Sequence, residues 1–384
     1  MKDIDQILQL WRKTEQAGDS AVLATVVKTR GSSYRLPGAR LLLTRTGRRA
    51  GSVSGGCLED DLVKKAWWLT EAGPCIRKYD TTPEGEIGSG YGLGCNGIIH
   101  VLLERLSPGT PNLMQNPLDL IEEVRASRQP GAIAHLIDPA RWAGQRLVVD
   151  IRGRVSHNLS DEGIAPSLER QAREAIACSA ALAERGAPED SGAVFIETVT
   201  PAIRLLIFGA GDDAVPVTDL AKYLGWSVSV FDGRAHYARS EKFPNADEVT
   251  VRGGVGRGFP LMDPWTVGVL MTHSYSQDLD VLRAMAPNPP RYLGILGPHK
   301  RTAQLLADAA IEPARLGDVL HGPMGLDIGA DGPEQVALAV IAEIQAALNG
   351  REGGQLRKRD GSIHARDEQA GESRQFRVHS ISCA

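Results

Sequence analysis

Two cysteines stand in glycine-rich company. Gly55-Gly56-Cys57-Leu58-Glu59 puts one thiol just before a helical stretch, and Gly92-Leu93-Gly94-Cys95-Asn96-Gly97 puts another in a run richer still in glycine. A thiol on such a turn is accessible and shifted toward thiolate, the form that meets soft metals and handles sulfur. Cys75 and Cys178 lack that setting and read as small buried residues. No Cys-x-x-Cys is present and no His stands at ligand spacing, which argues against zinc. No general base accompanies either thiol, which argues against a Cys–His protease. Upstream, Arg30, Arg35 and Arg40 flank Ser32 and Ser33. They either grip an anion or decorate a hairpin surface.

A second constellation is Gly209-Ala210-Gly211-Asp212-Asp213-Ala214. It follows an apolar run and opens a helix whose Val217, Leu220, Ala221 and Leu224 share a face. Asp232 ends the next strand, 23 residues after Gly209. This is the dinucleotide-type βαβ pattern with Ala at its third glycine position. Its physics is a tight turn and backbone N–H groups aimed at a phosphate. Two features depart from an ordinary NAD site. Asp212 and Asp213 bring negative charge to the phosphate turn, and Arg234 adds a cation that a ribose does not require. His273 and the Lys300-Arg301 pair fall at later strand ends, where ligands bind in parallel sheets.

The elements that must position these residues divide the chain into three regions and a tail. Residues 1–106 hold strands near 21–28, 39–44 and 98–103, a helix near 58–70, and both cysteine loops. Residues 107–200 start with a proline-rich connector. They continue as an α/β extension that reads as scaffold. Residues 201–350 alternate short apolar strands with helices, the signature of a doubly wound parallel sheet. Residues 351–384 are polar and read as a flexible tail. The expected fold class is α/β, a mixed α/β N-terminal domain plus a Rossmann-like domain.

Charge and composition narrow the function. The net charge of −4 gives no bulk attraction to nucleic acid or to a membrane surface. No apolar run reaches the length of a membrane span, and the first residues form an amphipathic helix rather than a signal peptide. Five scattered cysteines do not make a disulfide framework, which fits a reducing cytoplasm.

Taken in order, GSSYRLPGARLLL, GSVSGGCLEDDL, GLGCNG, FGAG, FDGR, MTHSYSQDLDVLR, GILGPHKR and GLDIGADGPEQVALAVIAEI resemble the XdhC/CoxI family of accessory proteins for molybdenum hydroxylases. The family's second cysteine loop commonly continues Gly-Cys-Gly-Gly, whereas Asn96 follows Cys95 here. The resemblance implies a factor that binds the molybdenum cofactor (molybdopterin), protects it during sulfuration and delivers it to an apo molybdenum hydroxylase of the xanthine dehydrogenase type. It nominates Cys57 and Cys95 as molybdenum-proximal thiols. Gly55, Gly56, Gly94 and Arg35, with Gly209, Gly211, Asp232, Arg234, His273 and Arg301, are the binding candidates. A cysteine desulfurase and a second copy of the chain are the further expected partners. The rival readings are an NAD(P)-dependent oxidoreductase, which would bind a nucleotide on the Rossmann-like domain, a persulfide-carrying sulfurtransferase and a purely structural assembly partner.

Overall fold

The computed structural model describes residues 2–31, 33–56, 58–81, 97–109, 112–138, 140–180, 194–251 and 262–358. Cys57, Gly94 and Cys95 lie outside them, as does the tail from residue 359. The chain forms two compact units, one built on residues up to Pro201 and one on residues from Ala202.

In the first unit, helix α1 (Lys2–Gln16) buries Ile7, Leu8 and Trp11 on one stripe. Strands β1 (Ala21–Gly31), β2 (Arg40–Thr44) and β3 (Arg49–Gly51) precede helix α2 (Glu59–Leu69). Strands β4 (Cys75–Asp80) and β5 (Gly97–Leu106) follow it. They make an antiparallel sheet in the order β3-β2-β1-β5-β4. Helix α3 (Pro117–Ser127) is capped by the Asn116 side chain, which accepts the Leu118 N–H at 3.1 Å. Then come β6 (Gly131–Leu136), β7 (Arg146–Val149), β8 (Val155–His157), helix α4 (Ala165–Ala180) and β9 (Val194–Val199). These four strands form a second antiparallel sheet, β8-β7-β6-β9.

The two sheets share one core. Leu23, Leu42 and Leu106 of the first and Ile133, Val148 and Val199 of the second belong to a single buried cluster with Ile7, Trp11, Leu118 and Leu120. Side chains two residues apart on a strand share a face. Two residues from each of those apolar positions, in the same order, stand Thr25, Arg40, Glu104, His135, Arg146 and Glu197. The buried faces therefore continue into a polar layer. Arg40 donates to Glu197 through both terminal nitrogens, at 2.7 Å for the Nη1–Oε1 contact, and Arg146 donates to Glu104. His135 stacks on Phe195 and is held down to about pKa 4 by burial, against the pull of Glu197. Arg40 is thus a buried structural residue, 3% exposed, and not an anion-gripping surface arginine.

The second unit runs β10 (Arg204–Phe208), α5 (Ala214–Tyr223), β11 (Ser227–Asp232), β12 (Glu248–Val251), β13 (Thr266–Leu270), α6 (Tyr275–Met285), β14 (Leu293–Ile295), α7 (His299–Ala309), β15 (Leu320–His321) and α8 (Pro333–Leu348). All six strands are parallel, in the order β12-β11-β10-β13-β14-β15. That is the Rossmann order, with its topological switch between β10 and β13. Buried apolar clusters cover both faces: Val217, Ala221, Val340 and Ile344 on one, Leu282, Leu305 and Leu306 on the other. The expected doubly wound sheet is present. Its sixth strand was not expected, because two residues carry no readable period. Among the described residues no helix is long and apolar enough to cross a membrane.

The polar layer makes a stability prediction. Among the described residues Arg146 Nε and Nη1, Arg40 Nε and Glu104 Oε2 have no hydrogen-bond partner, so the layer is costly to bury. Glu104→Ala should destabilise the first unit by about 3–5 kcal/mol, the cost of leaving a buried guanidinium unpaired. Glu104→Leu combined with Arg146→Met should recover most of that loss in urea unfolding. A double variant as unstable as the single one would contradict the reading.

Candidate functional site

The Gly55-Gly56 turn lies between β3 and α2. Gly51 lets the chain enter it: its φ is +81°, and a Cβ there would stand 2.3 Å from the Arg40 carbonyl oxygen. The turn then wraps around one carboxylate. Glu59 Oε1 accepts from the Ser52 hydroxyl at 2.8 Å, Val53 N–H at 3.0 Å and Ser54 N–H at 2.9 Å. Its Oε2 accepts from the Ser54 hydroxyl and from Gly56 N–H at 3.1 Å. The Ser54 hydroxyl oxygen in turn accepts Leu58 N–H at 3.1 Å, closing the start of α2. Burial pushes the Glu59 carboxyl up, but the Ser54 and Ser52 bonds and the backbone donors hold it below the ordinary value near 4.5. The turn is thus an anion nest already filled by its own chain. Arg35 donates to Asp3 of α1 at 2.6 Å. Cys75 and Cys178 are half-buried free thiols.

In the second unit the switch point gathers most of the remaining candidates. Gly209 has φ +121°, and a Cβ there would sit 2.2 Å from the Met271 carbonyl oxygen, so only glycine lets the β10 turn lie against the end of β13. A Cβ at Gly211 would meet Asp213 Oδ1 at 2.4 Å. Ala214, the third position of the pattern, is the first residue of α5 and is fully buried. Asp232 is also fully buried, and its bonding capacity is spent. Oδ1 accepts from Arg234 N–H and Nε, and Oδ2 from Ala210 N–H and Arg234 Nη2, all at 2.9 Å. Burial raises its carboxyl, but Arg234 and these donors bring it below the usual range. Arg234 also donates to the Thr272 carbonyl at 2.9 Å and lies over the Tyr237 ring.

The two acids of the phosphate turn each have a partner within the second unit. Asp212 points to solvent and pairs with Lys242 at 2.7 Å, and Lys242 also donates to the Ala210 carbonyl at 2.8 Å. Asp213 bonds His273 Nε2 at 2.8 Å. His273 takes φ +54°, an uncommon conformation for a non-glycine residue. Further along, Arg301 donates to buried Asp278 at 2.6 Å, and Asp278 accepts from the Thr272 hydroxyl at 2.6 Å. Gly209, Gly211, Asp232, Arg234 and His273 therefore meet at the switch point, and Arg301 joins through Asp278 and Thr272. Lys242 was not signalled by the sequence. It belongs to no motif and reaches the turn only through the fold. Among the described residues no group of His, Cys, Asp and Glu could hold a metal ion.

The Glu59 network is testable by pH. A carboxyl with a lowered folded pKa stabilises fully above its unfolded value and loses that contribution as pH falls through the folded one. Glu59→Gln should cost about 1–3 kcal/mol at pH 7, the weight of hydrogen bonds to a charged acceptor. The gap to the unsubstituted protein should narrow well below pH 4.5, read by urea unfolding. A gap independent of pH would show that the charge of Glu59 does not hold the turn.

Comparison with known proteins agrees with both units. The family model for the XdhC Rossmann domain matches residues 205–344, and the XdhC and CoxI family model matches residues 15–80. A protein of Bacillus subtilis named as a probable xanthine dehydrogenase subunit is 32% identical over 336 residues, 85% of this chain and 92% of that protein. The molybdenum cofactor insertion chaperone PaoD of Escherichia coli is 25% identical over 343 residues, 88% of this chain and 86% of that protein. A crystal structure described as a xanthine dehydrogenase from Bacillus halodurans superposes with a TM-score of 0.73 at 28% identity, covering 92% of this chain and 97% of that one. With its Rossmann switch point, its filled glycine turn and these relatives, the chain belongs to the XdhC/CoxI family.

Proposed function

We propose that this protein is an accessory factor that binds the molybdenum cofactor, protects it during sulfuration and delivers it to a xanthine dehydrogenase-type molybdenum hydroxylase. The observation that carries the reading is the closed Asp232–Arg234 pair. A dehydrogenase of this fold uses the acid at that strand end to hold the ribose of its nucleotide. Here the acid is fully buried and takes four donors from its own chain. His273, the strand-end histidine a hydride-transfer reading would need as its base, is tied to Asp213. The insertion chaperone among the relatives supports the carrier reading from the other side.

The cargo fits the residues in kind. Its phosphate suits the helix start after β10, with Arg234 close by and Arg301 linked through Asp278 and Thr272. Its soft metal centre suits the thiols of Cys57 and Cys95. In this reading a cysteine desulfurase supplies sulfur to the cargo, and a second copy of the chain completes a homodimer in the cytoplasm.

Transfer decides between carrier and oxidoreductase. Cofactor-loaded protein should restore activity to a cofactor-free molybdenum hydroxylase in stoichiometric amounts. The Cys57→Ala, Cys95→Ala double variant should load less cofactor while keeping its fold. The chain alone should show no steady NAD(P)H turnover. Catalytic nicotinamide turnover lost on His273→Ala, with no transfer to the apo-hydroxylase, would replace this reading with an oxidoreductase.

A further inference from the structure

The filled nest at Glu59 has a chemical consequence for what its outer side can meet. Three backbone N–H groups of the turn, those of Val53, Ser54 and Gly56, point inward to a buried carboxylate. A phosphate arriving there finds those donors taken and a negative charge behind them. What the turn does offer is an aromatic face. The Tyr34 ring lies against Gly55, with ring carbons 3.8 and 3.9 Å from the place a Gly55 Cβ would occupy. Tyr34 is nevertheless 67% exposed, and Leu36, two residues on, is 45% exposed. Arg35 between them is turned to Asp3. The outward face of such a ring costs apolar hydration, and a flat heterocycle laid on it recovers that cost by stacking.

We propose that Tyr34 is a binding residue that stacks on the pterin ring system of the cargo, so that this turn reads the heterocycle and the phosphate is bound elsewhere on the chain. The assignment rests on the molybdenum-cofactor reading above. It divides the cargo by chemistry. The uncharged aromatic ring goes to the turn just before Cys57, where an anion is repelled.

The probe is 6,7-dimethylpterin, which carries no phosphate, titrated into the full chain and followed by its own fluorescence. Tyr34→Ala should weaken its binding roughly ten- to hundredfold, the range of one aromatic–base stack. Tyr34→Phe should bind as the unsubstituted protein does, since the ring and not the hydroxyl is used. Inorganic phosphate should not displace the pterin. Tyr34 is exposed, so both variants should keep the melting temperature of the parent. Uptake of the whole molybdenum cofactor by the unsubstituted chain is measured in parallel. Uptake with pterin binding indifferent to Tyr34→Ala, or with pterin displaced by phosphate, overturns the assignment and leaves the carrier reading standing. A chain that takes up no cofactor overturns both.

Discussion

A single buried carboxylate organises the second unit. Asp232 gathers the Ala210 N–H from the turn after β10 and both the backbone and the side chain of Arg234 after β11. Arg234 carries the link across to the Thr272 carbonyl after β13. Three strand ends are thereby fixed around the switch point. The arrangement needs glycine at 209, because a side chain there would collide with the backbone of β13. It also needs Asp232 ionised, which its four donors favour despite complete burial. A charge so enclosed is expensive to disturb, so these strand ends are held in place by the chain itself.

The first unit uses the same device at its own glycine turn. Glu59 collects backbone and hydroxyl donors from residues 52–56 and so fixes the loop that leads into α2. Behind it, the Arg40–Glu197 and Arg146–Glu104 pairs lock two antiparallel sheets in register. Apolar faces alone would tolerate sliding of one sheet over the other. Matched charges at one level of the sandwich do not, because a slip would leave a buried ion unpaired. Fold and site are linked here through Gly51, which packs on the Arg40 backbone and starts the turn that Glu59 completes.

What the sequence revealed follows from how local each signal is. The Gly209–Ala214 turn, its strand, its helix and Asp232 fall within a short stretch, and each element obeys a local rule, so the Rossmann-like unit was legible. The cysteine loops were visible as composition, but the inward role of Glu59 was not, since an acid at the start of a helix ordinarily complements the helix dipole. Arg40 and Lys242 were misread or missed for one reason. Their partners, Glu197 and the Ala210–Asp212 turn, are remote in the chain and come near only through tertiary structure. Asp212 and Asp213 looked repulsive to phosphate because Lys242 and His273 were invisible beside them.

Four donors from its own chain occupy the Asp232 carboxylate, and the carrier role proposed above needs no ribose there. Calorimetric titration of the full chain tests it most directly, with NADH, NADPH and the molybdenum cofactor added in turn. The account predicts a dissociation constant of order micromolar (~−8 kcal/mol) for the cofactor and no saturable heat for either nucleotide up to about millimolar. Saturable micromolar binding of NADH or NADPH would contradict it.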